Sequence, residues 1–265
     1  MASGFEIRPG DASSSVILHV PHSSTRIPDE VRADIELSDE DLSLELLRIT
    51  DSFTDQIAAT AAGASPIAPW IFRNDLSRLV IDPERFTDER EEMFVVGMGA
   101  VYTRTSQKQP LRDETIFHPG SPAWTQLIDD YFTPYTRALQ QLVNERLEAC
   151  GEVTIIDGHS FPEKALPYEL HAELSRPAIC IGTDDFHTPD HLTHQMVEAF
   201  KDFATVGVNE PFIGTYVPLE QYGTDQRVKS VMIEIRRDLY MDEMTGESKD
   251  DVIEALGRRL RFIHV

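Results

Sequence analysis

Cysteine is scarce in this chain, long apolar runs are missing, and positive charge is in the minority. Cys150 and Cys180 are the only cysteines in 265 residues. That is too few for a disulfide-stapled scaffold or a cysteine-rich zinc module. Both adjoin predicted strands, where a small buried apolar side chain is the ordinary explanation. No uninterrupted apolar stretch approaches the ~18 residues of a membrane-spanning helix, and the segment before Val16 is polar, without a basic-plus-apolar leader. The expected location is therefore the cytoplasm. Lysine and arginine total 24 against 46 aspartates and glutamates, a formal charge of −22. Such a chain repels nucleic acid and anionic membranes, so the expected partner is a small molecule. An acidic protein that binds an anion must concentrate arginines locally, which makes arginine clusters the more informative ones. There is no flexible linker, low-complexity tract or internal repeat, and the 16 prolines are scattered as turn punctuation. Residues 1–265 are accordingly expected to form a single domain with enough chain for a proper core.

Short β-branched runs suggest strands at Ser15–Val20, Leu79–Asp82, Val153–Asp157, Ala178–Gly182 and Val231–Ile235. Helical periodicity fills much of the chain between them. The first long helix follows Ser38, an N-cap with Asp41 three residues on, and carries the spine Leu42, Leu46, Ile49, Phe53, Ile57. Others are expected at Trp124–Ala149, interrupted near Pro134, at Pro189–Val206 and at Asp250–Ile263. This alternation predicts an α/β sandwich with a parallel or mixed sheet. Phe86 to Pro122, rich in glycine and proline, is expected to be a long irregular connection of the kind that forms binding lids.

Two strand-like runs end at histidines. Val16–Val20 leads into Pro21-His22-Ser23-Ser24, and Val153–Ile156 into Asp157-Gly158-His159-Ser160. In α/β sheets ligands bind beside the C-terminal strand ends. Two imidazoles there need only a carboxylate to make the three-ligand set of catalytic zinc, although strand-end histidines also serve as plain hydrogen-bonding groups. Asp51 continues the apolar row Leu44, Leu47, which makes it an inward-pointing ligand or a solvated acid at a face boundary. Arg73, Arg78 and Arg85 bracket Leu79–Asp82, and Arg112 lies in the long loop. Such guanidiniums suit a carboxylate substrate, or they pair with Asp82, Glu84, Asp88 and Glu89. Glu234 interrupts the apolar run Val231–Ile235, either as a catalytic acid beside a metal or as a partner of Arg236 or Arg237. The catalytic alternative is favoured because the two histidine sites already ask for an acid. His19, His118, His171, His187, His191, His194 and His264 are expected to be structural or surface residues, with His187 the one to reconsider if it lines a cleft.

These segments together resemble the N-formylglutamate amidohydrolase family. The matching stretches are Pro21-His22-Ser23 with Ile27-Pro28, Thr50-Asp51, Ser77 to Arg85, Asp157 to Ser160, and Glu234 to Met241, in order from about Ser15 to Met241. The resemblance implies a phosphorylase/hydrolase-like three-layer α/β/α sandwich with a mixed sheet, related to zinc carboxypeptidases and aspartoacylase. It also implies hydrolysis of the amide of an N-acyl amino acid, yielding formate and glutamate in the namesake reaction. One zinc ion, or another divalent metal, would be held by His22, His159 and a carboxylate. Zinc carboxypeptidases take a glutamate three residues after the first histidine, but Thr25 stands there, so Asp51 is the choice for third ligand. Glu234 would be the acid/base, Arg78 the oxyanion stabiliser, and Arg85, Arg73, Arg112 and Ser160 the substrate contacts. One departure stands out: many relatives have Asp-x-Asn-Arg where this chain has Asp82-Pro83-Glu84-Arg85, which removes an amide donor and adds negative charge beside the expected anion site. Hydrolysis of another N-acyl amino acid or small amide, or binding without turnover, are the alternatives. The oligomeric state is open, a homo-oligomer included.

Overall fold

A computed structural model describes residues 4–88 and 90–260, so Glu89, His264 and the expected helix end at Ile263 lie outside the described residues. Seven strands form one mixed sheet: β1 (Phe5–Arg8), β2 (Val16–Val20), β3 (Trp70–Asn74), β4 (Val153–Phe161), β5 (Ile179–Gly182), β6 (Val206–Val208) and β7 (Val228–Arg236). Their spatial order is β1-β3-β2-β4-β7-β5-β6. β1 runs antiparallel to β3 and β5 antiparallel to β7, while the other pairs are parallel. The helices are α1 (Asp29–Arg32), α2 (Asp39–Ile49), α3 (Thr54–Ala64), α4 (Pro122–Leu127), α5 (Thr133–Cys150), α6 (Asp190–Phe200) and α7 (Asp250–Leu260).

Strand side chains alternate between faces, and each face buries a different helix set. Leu18, Val20, Ile156, Val231, Ile233 and Ile235 pack with α3, α6 and α7. Ile17, Phe72, Ile155 and Val228 pack with Tyr135, Leu139, Leu142 and Val143 of α5. The result is the expected three-layer α/β/α sandwich. Gly257 lets α7 close on α3, because a Cβ there would lie 2.5 Å from the Thr60 Cβ.

Three expectations about elements are corrected. Leu79–Asp82 is a buried turn, and the strand in this region is the unforeseen β3. The helix after Ser38 stops at Ile49, and α3 begins only at Thr54. The segment Pro189–Val206 is helical only to Phe200 and ends by entering β6. The interruption foreseen near Pro134 exists as a π-helical turn at Ile128–Phe132, just ahead of a proline that has no N–H to continue the ladder. The described residues between Phe86 and Pro122 are irregular as expected, with a short 3-10 turn at Glu92–Val96.

Candidate active site

On the α5 face, α5 covers the sheet's lower half and leaves the C-terminal ends of β4 and β7 open. There His159 and Glu234 stand opposite each other in register, and His22 arrives from the loop after β2. Asp51 comes from the gap between α2 and α3. Its backbone N–H donates to the His22 carbonyl at 3.0 Å, which ties the two segments together. The gap is held open by Phe53, whose left-handed backbone (φ 68°) starts α3. A non-glycine residue in that region costs roughly 1–2 kcal/mol, and the turn it makes is what aims Asp51 inward.

The three side chains converge. Nδ1 of His22 lies 3.3 Å from Nδ1 of His159, and Oδ2 of Asp51 lies 3.6 Å from the first and 3.3 Å from the second. The opposite nitrogens are committed elsewhere: His22 Nε2 to Asp82 Oδ1 at 2.9 Å, and His159 Nε2 to Asp157 Oδ1 at 3.1 Å and Glu84 Oε2 at 3.2 Å. If Nε2 carries the proton in both rings, two lone pairs and a carboxylate point at one spot. A tetrahedral ion with ligand bonds of 2.0–2.1 Å sets its donors about 3.3–3.4 Å apart, so the donor set fits a zinc-like divalent cation. Carboxylates behind metal-binding histidines are the usual means of fixing tautomer and orientation.

Electrostatics follow the same lines. Burial alone would raise the pKa of Asp82 and Asp157, yet His22 and Arg78 hold the first, and His159 the second, well below the usual carboxylate range. Burial disfavours charge on His159, but Glu84 and Asp157 hold its pKa well above the ordinary imidazole value. Glu234 behaves differently. Burial raises it to about 7, with His159 opposing and Asp51 adding to the rise, and its Oε2 has no hydrogen-bond partner among the described residues. Arg236 pairs with Asp238 and Arg237 with Asp51; the Arg237 charge still acts on Glu234 and lowers its pKa against the burial.

This cluster floors a cavity of about 560 Å³. Its walls come from the loop carrying Arg78, Arg85 and Phe86, from the π-helical turn at Phe132, and from the segment around Phe212 and Tyr216. Residues 14–241 match the family model for N-formylglutamate amidohydrolase. The chain belongs to the N-formylglutamate amidohydrolase family. It is similar to the crystal structure of N-formylglutamate amidohydrolase from Ralstonia eutropha JMP134, with a TM-score of 0.81 and 22% identity over 98% of this chain and 97% of that one. A gene product of Agrobacterium tumefaciens is similar at a TM-score of 0.67 and 20% identity, over 98% of this chain and 95% of that one. Both likenesses show the shared fold. No curated protein matches the chain.

Within this family member, His22, Asp51, His159, Glu234, Arg78, Arg85 and Ser160 all border the cavity. Arg78 donates to Asp82 Oδ2 at 2.8 Å and to the Tyr102 hydroxyl at 3.1 Å. Arg85 stands 3.5 Å from Asp82 and 3.7 Å from Glu91, and is not paired with Glu84. Ser160 gives its hydroxyl proton to Asp51 Oδ1 at 3.0 Å and accepts from Arg237 Nε at 3.0 Å, so it braces Asp51. Two expected substrate contacts are corrected. Arg73 lies outside the cavity, paired with Glu6 and Asp75 at 2.9 Å each. Arg112 is fully buried, donating to the carbonyls of Tyr102 and Leu79, and burial lowers its pKa to about 10. It props the loop from below.

Sequence reasoning missed the bracing roles of Asp82, Asp157 and Arg237. Only Asp157 left a signal, since a residue two positions before His159 on one strand shares its face. His19, expected to be structural, sits in a buried chain from Tyr135 through His19 to Asp157, with contacts of 2.6 and 2.9 Å. His187 does not border the cavity: it donates to Val228 O and accepts from the Gly223 N–H.

Proposed function

We propose that the protein is a metal-dependent amidohydrolase that cleaves the N-acyl amide of an acidic amino acid, as in N-formyl-L-glutamate, acting on a small molecule in the cytoplasm. The observation carrying this reading is the convergence of His22, His159 and Asp51 beside a buried glutamate with an unpartnered oxygen. His22 Nδ1, His159 Nδ1 and an Asp51 oxygen would hold the ion, with zinc the best fit to that donor set. A bound divalent ion supplies Lewis-acid polarisation of the acyl carbonyl and acidifies a water molecule.

The chain's own residues do the rest. Glu234, whose proton affinity burial tunes toward neutrality, takes a proton from the attacking water and delivers it to the leaving nitrogen. Arg78, held between Asp82 and Tyr102, stabilises negative charge developing on the carbonyl oxygen. Arg85 receives the substrate carboxylate.

The reading is tested on zinc-supplemented, chelator-treated and Glu234→Gln protein, measuring formate release from N-formyl-L-glutamate. Hydrolysis is expected to vanish with the metal. Glu234→Gln should keep one metal per chain and lose about 10²–10⁴-fold in kcat. Turnover that survives chelation, or a near-normal Gln variant, overturns the proposal.

A further inference from the structure

The metal-ligand cluster divides the cavity into two unlike halves. On the β2 side His22 leans on Asp82, and Asp82 on Arg78 and Arg85, so the wall of this half is charged, with the two arginines set among Asp82 and Glu84. Across the sheet, beyond His159 on β4 and Glu234 on β7, the wall becomes apolar. Met232 borders the cavity two residues before Glu234 on the same strand face. Phe161 at the end of β4 packs edge-on against Phe212, with centroids 5.4 Å apart. Ile213 and Leu219 continue this wall toward the mouth while remaining 76% and 57% exposed.

With its amide over the cluster, N-formylglutamate would leave that half empty. Its formyl group has no carbon beyond the carbonyl, and the whole molecule has about twelve non-hydrogen atoms, whereas cavities of ~300–1,000 Å³ suit drug-sized ligands. This one measures about 560 Å³. Exposed apolar side chains that continue a cavity wall mark a ligand groove more often than accident does.

Resting on the hydrolase reading above, we propose that the substrate is an N-acyl amino acid with an apolar acyl chain several carbons long, lying along Met232, Phe161, Phe212 and Ile213. The orientation follows from connectivity. In such a substrate the carboxylate and Cα are on the nitrogen side of the scissile bond and the acyl chain is on the carbon side. With the carboxylate at Arg85 and the amide over the cluster, the acyl chain enters the apolar half. Water's oxygen bonds to the acyl carbon, the C–N bond breaks, and the proton goes to nitrogen, giving a fatty acid and a free amino acid.

The test holds the amino acid constant and varies the acyl group: N-formyl-, N-acetyl-, N-butanoyl- and N-hexanoyl-L-glutamate, with kcat/KM measured on the zinc-loaded chain and binding by calorimetry on its Glu234→Gln variant. Both quantities are expected to rise by up to about fourfold per buried methylene. Ile213→Asp, at a position 76% exposed, should flatten that rise. If no substrate turns over but affinity still climbs with chain length, the hydrolase reading fails and the acyl-pocket proposal stands. If formyl is the best substrate and the best ligand, or affinity shows no trend with length, the acyl-pocket proposal is overturned whether or not the chain is a hydrolase.

Discussion

An imidazole offers a lone pair at one nitrogen only when its proton is held at the other. Asp82 and Asp157 are placed to do that holding for His22 and His159, so their effect on metal binding at the proposed site should be large although neither would touch the ion. Asp82→Asn and Asp157→Asn keep an acceptor oxygen but lose the charge, and each is expected to weaken zinc binding about 10–100-fold, read by competition with a chromophoric chelator. Unchanged affinity would reduce both to packing residues. At Arg85 the contacts to Asp82 and Glu91 are loose and the side chain, 27% exposed, borders the cavity, so the guanidinium can reach a substrate carboxylate. Arg85→Lys keeps the charge but loses the fork; KM should rise about tenfold, with kcat little changed. An α-amide substrate, lacking the carboxylate, should be indifferent to the change, and equal losses on both substrates would remove the anchor role. His22, His159 and Glu234 were legible as candidates because each interrupts or ends an apolar run, and Asp51 because it continues an apolar helix row. Asp82 was not, because its partner lies 60 residues away and only the folded chain brings them together. Arg73 and Arg112 looked like their neighbours for the same reason: which arginine reaches the cavity depends on the path of the loop.

Elements were misread where a buried apolar run takes its backbone partners from outside a sheet. Leu79, Val80 and Ile81 are almost fully buried, as a central strand would be, yet the Leu79 carbonyl accepts from Arg112 and the Asp82 N–H donates to Ala100. Burial is visible in composition, but the identity of the partner is not. The spine from Leu42 to Ile57 was likewise legible as helix, while the break at residues 50–53 depends on a left-handed phenylalanine that no propensity favours. α2 carries a second tension in Glu45, buried on its inner face, where both oxygens accept from the Ser106 N–H and hydroxyl. Burial raises its pKa above 4.5, against the Ser106 bonds and the Arg48 charge. A carboxyl that holds its proton more tightly when folded adds stability as pH falls through the folded pKa and costs stability above it. Glu45→Gln removes the ionisation and can keep both Ser106 contacts, so its melting temperature should exceed the parent's at neutral and alkaline pH. The advantage should shrink in mild acid. A variant less stable at every pH would show that the charged form is the one the fold prefers.

Across the whole molecule, chain order and spatial order differ in a way that ties distant segments to one site. β2, β4 and β7 are adjacent in the sheet though they are separated by more than a hundred residues and by seventy or so in sequence, and they bring His22, His159 and Glu234 to one place. These central strands were legible because both of their faces are buried, which makes them continuous apolar runs. β1, β3 and β6 were missed: β1 is a four-residue edge strand carrying Glu6 and Arg8, β3 carries Arg73 and Asn74, and β6 has three residues with a central glycine. Because the proposed metal ligands come from the loop after β2, from β4 and from the α2–α3 junction, an ion bound there would be linked to the folding of all these segments at once. The expected result in calorimetry is a single unfolding transition that zinc moves upward without splitting it. A free zinc concentration a hundred times Kd should add about 2.7 kcal/mol of stability, and a chelator should reverse the shift. Two transitions, only one of them zinc-sensitive, would instead divide the chain into separate folding units and remove the link between the sheet and its site.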